Sequence, residues 1–294
     1  MTVEGFLLVD KPGGPTSHDV VAAVRKATGQ RRAGHAGTLD PMASGLVVVA
    51  MGRATRLVRF VQDLPKEYEA VARFGIATDS LDADGEVTWS HPAEIDEAEL
   101  KGVARRFVGT IDQVPPMVSA LKVQGRRLYD LAREGREVRR APRPIEIHAL
   151  EILEVGRGPH PDVRFRVTCG KGTYVRVLAD DLAGGLGTRA HLVALRRTRT
   201  GSLDVGERGV SLEAVRAGRW EAGVLTPAEG LGDLPAAEVR GDVEKMARHG
   251  RRLEPSPAPG LAAGTAFRIL DESGWMLAVY RSGDADARPE VVIA

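Results

Sequence analysis

Apolar and polar positions fall into distinct blocks along the 294-residue chain. Gly5 to Val9 is a short apolar run that stops at Asp10-Lys11-Pro12-Gly13-Gly14-Pro15, a turn-rich stretch, which predicts a strand. Thr16 or Ser17 is placed to cap a helix over residues 18–28. Val20, Val21, Val24 and Ala27 form its stripe, and Gly29 ends it. Residues 30–45 carry no periodicity and read as a glycine-rich loop, followed by a strand, Leu46 to Met51, and a basic segment through Arg59. From Lys66 to Gly75, Tyr68, Ala70, Ala72 and Phe74 alternate with Glu67, Glu69, Val71 and Arg73, the period of a half-buried strand. A turn at Asp82 to Gly85 and a helix over 96–107 follow. Prolines bracket an arginine-rich stretch, so residues 112–145 read as a surface insertion in which Leu128, Leu131 and Ala132 form one apolar helical turn. A strand from Val163 to Cys169 then meets the turn Gly170-Lys171-Gly172, and a helix carries Val175 to Leu182, stopped by Gly184, Gly185 and Gly187. Residues 225–235 read as a linker. A helix near 243–249 and a hairpin, Phe267–Leu270 with Trp275–Tyr280, predict a small β-rich second domain of about sixty residues.

Composition adds limits. Hydrophobic residues make up 43% of the chain, enough for a sizeable core. No apolar run approaches the ~20 residues of a membrane span, and the N-terminus lacks a basic region followed by a long apolar one. The expected address is cytoplasmic, with no membrane. The one cysteine, Cys169, permits no internal disulfide and reads as a small buried hydrophobe. The formal charge of +1 hides a distribution. Residues 25–60 hold seven bases and one acid, 122–143 eight and three, and 164–199 eight and two; residues 76–104 hold eight acids and one base. Such blocks suit a nucleic-acid footprint on one face, and they equally suit solvated faces balanced by nearby acids.

The loop Gly34-His35-Ala36-Gly37-Thr38-Leu39-Asp40-Pro41 is the first candidate for chemistry. Asp40 is the only acid between Lys26 and Arg59. Surrounded by cations, it is expected to stay ionised as a nucleophile or base. Taken alone, an Asp before Pro is more often a turn residue, and His35 a hydrogen-bonded loop histidine. In Gly172-Thr173-Tyr174-Val175-Arg176, an extended backbone would put Tyr174 and Arg176 on one face, offering a ring to a base and a guanidinium to a carboxylate. The plain alternative is an edge-strand pair. Asp180 and Asp181 diverge by about 100° on a helix and read as surface or cap residues. The seven histidines are scattered, with no H-E-x-x-H, so no metal site is expected. The G-x-S-x-G elbow and Walker sequences are absent.

Together these segments resemble the TruB-type tRNA pseudouridine synthases, which isomerise the T-loop uridine at tRNA position 55. The likeness rests on Asp10-Lys11-Pro12 with Thr16-Ser17-His18-Asp19, on residues 34–45, and on Lys66-Glu67-Tyr68. It continues in Thr78-Asp79-Ser80 with Asp82 and Gly85, in Ser119-Ala120-Leu121-Lys122, in Gly172 to Arg176, and in Ala194-Leu195-Arg196-Arg197. The resemblance implies an α+β fold: a catalytic domain over 1–230 with a mixed, mostly antiparallel sheet flanked by helices, an RNA-binding insertion, and a PUA-like RNA-binding domain over 236–294.

It also implies roles for named residues. Asp40 would be the catalytic aspartate, Tyr68 the tyrosine that stacks on the target uracil, and Arg176 the arginine that pairs with the aspartate. Tyr174 and Leu195 would line the base pocket, His35 would hold extruded nucleotides, and Asp82 would join the Arg176 network. Lys122 and Arg56 would contact substrate, with Arg56 standing where the family more often has lysine. The implied partner is the T-arm stem-loop of tRNA, met by a monomer without an obligatory protein partner. The isomerisation gains no atoms and changes no redox state, so one carboxylate can serve as covalent catalyst with no cofactor and no metal. Two other classes stand beside it. A non-catalytic RNA-binding or tRNA-folding protein would have no need of Asp40, and a phosphate-binding metabolic enzyme would need a cradle or metal ligands that the sequence lacks.

Overall fold

The computed structural model describes residues 3–118, 122–123, 126–127, 134, 136 and 138–294, the side chains of 122–123 and 126–127 excepted. The expected helical turn at Leu128, Leu131 and Ala132, and the side chain of Lys122, lie outside the described residues. Two compact units emerge, each drawn from separate stretches: Met1–Pro41, Gly45–Leu64 and Arg199–Ala294 form one, Met42–Ser44 and Pro65–Thr198 the other. The architecture is mixed α/β. No helix among the described residues is long and apolar enough to cross a membrane.

In the first unit the strand Gly5–Lys11 pairs antiparallel with Ser44–Met51, from Gly5 opposite Met51 to Lys11 opposite Gly45. Val210–Ser211 joins it in parallel, which makes the sheet mixed. The helix Ser17–Thr28 begins where Thr16 and Asp19 close a capping box and ends where Gly29 takes φ 67°. Its Val20, Val21 and Val24 are buried, as the stripe predicts. The loop expected over 30–45 is not wholly irregular, because Ala33–His35 pairs with Val49–Met51. Nor is 225–235 a free linker. Val224 and Leu225 pair with Leu7 and Phe6, and Thr226 opens a capped turn over Pro227–Gly230. Backbone pairing there outweighs a Pro/Gly-rich composition.

Residues 236–294 build a four-stranded sheet in the order Ala236–Glu238, Ala266–Leu270, Met276–Ser282, Ala287–Val292. Its apolar residues divide between two cores, with register shifts at Ile269/Leu270 and Val279/Tyr280 interrupting strict alternation. Phe267, Ile269, Leu277 and Tyr280 belong to one core, while Met276, Val279, Val291 and Ile293 join Phe6, Leu8, Leu46 and Val48 in another.

In the second unit the strand order is Ala190–Thr200, Lys66–Phe74, Asp162–Cys169, Arg143–Val155, Gly109–Gln113. Ala70, Ala72 and Phe74 with Val163, Phe165 and Val167 make the buried face. The helices Glu97–Arg106 and Val175–Gly184 pack on this sheet and on each other. Gly185 permits that approach, since a Cβ there would meet Val103 Cγ1 at 2.5 Å. Cys169 is buried as read, and burial pushes its thiol up to about 11.

Candidate active site

The Asp40 loop is tied down on both sides. Lys11 ends its strand with 0% exposure, and its Nζ donates to the carbonyls of Pro12 at 2.9 Å, Pro15 at 2.8 Å and Pro41 at 3.1 Å. The Gly14 N–H reaches Pro41 as well, at 2.8 Å. On the other side, Ser17 Oγ accepts from the Leu39 N–H at 2.8 Å and donates to the Leu39 carbonyl at 3.2 Å. Leu39 is itself buried. Asp40 therefore stands half-buried between two anchored neighbours, so its backbone is fixed before any ligand arrives. His35, also half-buried, sets its ring edge-on to His18 at 5.4 Å. Arg56 is exposed, and its Nη1 donates to the Val292 carbonyl at 2.5 Å.

The second unit brings Arg176, Asp82, Ser80 and Tyr174 together. Arg176 is 3% exposed and Asp82 6%. Arg176 Nη1 reaches Asp82 Oδ2 at 3.1 Å and the Ser80 carbonyl at 2.8 Å, while Nη2 donates to the Val118 carbonyl at 3.0 Å. Asp82 Oδ1 accepts from Ser80 Oγ at 2.5 Å and from the Asp84 N–H at 3.2 Å. Leu81, between Ser80 and Asp82, takes φ 63°, a left-handed conformation rare for a branched residue, and its carbonyl accepts from the Leu192 N–H. Charge, hydroxyl and backbone together hold the guanidinium head in one place.

The helix expected from Val175 is present, and the conditional extended reading of 172–176 does not hold. Tyr174 is the N-cap of the helix and Arg176 its second residue, so the two do not share a strand face. Gly172 turns the chain at φ 83°, and the helical stripe of Val175, Leu178, Ala179 and Leu182 then prevails over two-residue alternation. Tyr68 lies opposite Val167, on the strand face that buries Ala70 and Ala72. Leu195 is buried, and its carbonyl accepts from Ser44 Oγ at 3.5 Å. Asp180 and Asp181 are not plain surface residues: Asp180 forms a two-point pair with Arg189, while burial, helped by Asp180, pushes Asp181 up to about 6.

The basic blocks look different once partners are visible. In 164–199, Arg164 and Arg166 pair with Glu69, Arg176 with Asp82, Arg189 with Asp180 and Arg199 with Asp204. Much of that block is neutralised locally, which favours the solvated-face reading for it. In 25–60, Arg53 pairs with Glu4 and Arg59 with Glu290. Among the described residues no group of three or more His, Cys, Asp or Glu side chains is arranged to hold a metal ion.

The profile described as TruB family pseudouridylate synthase (N terminal domain) matches residues 25–175, a span that holds His35, Asp40, Tyr68, Asp82 and Tyr174. The chain belongs to the TruB family. Among relatives of this family member, one named tRNA pseudouridine synthase B from Symbiobacterium thermophilum is 47% identical over 249 residues, 84% of this chain and 82% of that protein. Another of the same name, from Thermobifida fusca, is 41% identical over 99% of both chains. Among solved structures, a chain in the crystal structure of a Cbf5-Nop10-Gar1 complex superposes with a TM-score of 0.76 at 27% identity, covering 98% of this chain and 84% of that one. The chain is thus an isomerase of the pseudouridine synthase class.

Ser80 stood out in the sequence only as part of a motif, without a role, and there was no sign of the Val118 carbonyl or of Gln113. Gln113 lies 2% exposed against the Tyr174 backbone, and no residue spacing announces it. For Lys11 the signal was weak: a lysine closing an apolar strand before a proline turn.

Proposed function

We propose that the chain converts uridine to pseudouridine in the T-loop of tRNA, at position 55, with Asp40 as the covalent catalyst on a flipped-out base. The observation that carries this reading is the 41% identity, over 99% of both chains, to a protein named for that chemistry on tRNA. The reaction breaks the N1–C1′ bond, turns the uracil and joins C5 to C1′; the C5 proton leaves to solvent and N1 regains one. No atoms are gained and no electrons change hands, so an ionised carboxylate suffices.

In this reading Tyr68 stacks on the uracil and helps remove the C5 proton, Tyr174 and Leu195 line the base pocket, and His35 holds extruded nucleotides. Arg176, fixed by Asp82, is in this reading the arginine that pairs with the catalytic aspartate. Flipping the uridine out of its loop costs a few kcal/mol, which contacts to phosphates and 2′-hydroxyls, including Lys122 and Arg56, offset. Residues 1–230 serve as the catalytic domain and 236–294 as a PUA-like RNA-binding domain. The protein acts as a monomer in the cytoplasm.

The test incubates the pure protein with unmodified tRNA carrying C5-tritiated uridine, in chelator. Wild type releases tritium; Asp40→Ala lowers release by about a thousandfold or more while tRNA binding survives. Release that persists in Asp40→Ala would sink the mechanism. An RNA-folding protein without catalysis would release none in either form and would keep its activity in the variant.

A further inference from the structure

Gln113 has no part in the mechanism above, yet its side chain is as buried as the core valines, at 2% exposure. It closes the strand Gly109–Gln113, opposite Arg143 of the neighbouring strand. Its carboxamide lies against the backbone of Tyr174. Oε1 accepts from the Tyr174 N–H at 2.8 Å, and Nε2 donates to the Tyr174 carbonyl at 3.1 Å. That carbonyl also accepts the first bond of the helix, from the Leu178 N–H at 3.1 Å.

One planar group thus holds both peptide units that flank the Tyr174 Cα. Rotation about φ or ψ of Tyr174, which stand at −100° and 104°, breaks one of the two bonds. The direction of the Cα–Cβ bond is fixed with them, and so is the start of the helix that carries Arg176 two residues on. Helices usually obtain such definition from a Ser, Thr, Asp or Asn at the N-cap, whose short side chain accepts from the first turn. A tyrosine is the wrong shape for that task, and at this N-cap no side-chain cap bond is made. A strand-borne glutamine supplies the restraint instead.

We infer that Gln113 is a positioning residue for uridine isomerisation: by clamping the Tyr174 backbone it sets where the Tyr174 ring and the Arg176 guanidinium stand when the base is bound. This rests on the reading that Tyr174 and Arg176 serve the reacting base. Gln113 itself touches no reacting atom. Its contribution belongs in the turnover step, where small displacements of oriented groups are costly, and not in tRNA affinity, which depends on contacts spread over the RNA.

Two variants of the full chain test this with C5-tritiated tRNA: Gln113→Leu, which keeps bulk and removes both bonds, and Gln113→Glu. The Leu variant is expected to lose about tenfold to a hundredfold in kcat, with KM and filter-binding affinity for tRNA within about twofold of wild type. The Glu variant adds a pH readout. Ionised, it accepts from the Tyr174 N–H but repels the carbonyl; protonated, it matches glutamine as donor and acceptor. Its kcat relative to wild type therefore rises as pH falls from 8 to 6. Wild-type kcat in Gln113→Leu, a loss of tRNA affinity and thermal stability in step with kcat, or a pH-independent ratio for Gln113→Glu each overturns the inference. Wild type that releases no tritium overturns the functional reading, and this inference with it; release by wild type with unimpaired Gln113→Leu overturns this inference alone.

Discussion

Lys11 and Arg176 are both buried cations beside candidate catalytic groups, and they are held in different ways. Lys11 directs its ammonium at three peptide carbonyls, of Pro12, Pro15 and Pro41, which belong to the turn after its own strand and to the segment just past Asp40. Arg176 directs its guanidinium at a carboxylate, Asp82, with the carbonyls of Ser80 and Val118 completing its fork. An ammonium is a point charge with rotatable donors, suited to gathering carbonyls from several directions; a guanidinium is a rigid planar fork suited to a carboxylate. The first arrangement fastens backbone and leaves the neighbouring aspartate half-exposed. The second fixes a side-chain head inside the protein. Loss of each should therefore register differently, as loop order in one case and as an uncompensated buried charge in the other.

The largest effect belongs to Arg176. Arg176→Met leaves the Asp82 carboxylate buried without its cation, a change worth about 3–5 kcal/mol in urea unfolding followed by far-UV circular dichroism. The comparison sharpens with a second substitution. Asp82→Asn should cost less in the Arg176→Met background than in wild type, because the charge it removes is already unpaired there. Equal costs in the two backgrounds would mean that the pair is uncoupled.

Lys11→Met comes next. It leaves the three carbonyls without the ammonium, at a cost of about 2 kcal/mol, less than the Arg176 change because neutral oxygens are cheaper to strand than a carboxylate. Its second signature is local. Amide hydrogen exchange should quicken in residues 36–45, whereas Arg176→Met leaves that segment protected. A Lys11→Met protein with unchanged protection there breaks the contrast between backbone staple and buried pair.

Both anchors show what the sequence made readable. The strand and helix on either side of the Lys11 turn follow from apolar runs, a capping box and Gly29, all local signals. The Asp40 loop stood out because it is a lone acid among bases with glycines around it. What Lys11 does was only partly readable: Pro12 and Pro15 lie within four residues of it, but Pro41 is thirty away, and all three acceptors are backbone atoms that any residue type would supply. For Arg176 the local pattern left two readings side by side: Tyr174 and Arg176 satisfy strand alternation as well as they satisfy the first turn of a helix, and Gly172 with the downstream stripe decides for the helix expected from Val175. Asp82 entered through family likeness, not through spacing, because ninety-four residues separate it from its partner. The charge blocks left two readings open, and Glu69, which pairs with Arg164 and Arg166 from a strand far away in sequence, favours the solvated face there.

The smallest effect tests the same contrast on the helix that carries Arg176. Asp181, five residues on, is a partly buried carboxylate whose nearest charged neighbour in sequence is Asp180, and Asp180 spends its own pair on Arg189. Burial first, and Asp180 second, push Asp181 up to about 6, against the pull of Arg189. A carboxyl whose folded value is raised binds its proton more tightly in the folded state. Its contribution to stability is present below about pH 4 and is lost as pH rises to about 6. Partial exposure screens the interaction, so the loss is about 1 kcal/mol. Asp181→Asn stays neutral and escapes it. The stability of Asp181→Asn relative to wild type should therefore increase between pH 4 and pH 7, read from urea midpoints at each pH. A difference that stays constant across that window would mean that Asp181 ionises in the folded protein as it does in water, and that burial on this helix weighs only on the charge Asp82 pairs with.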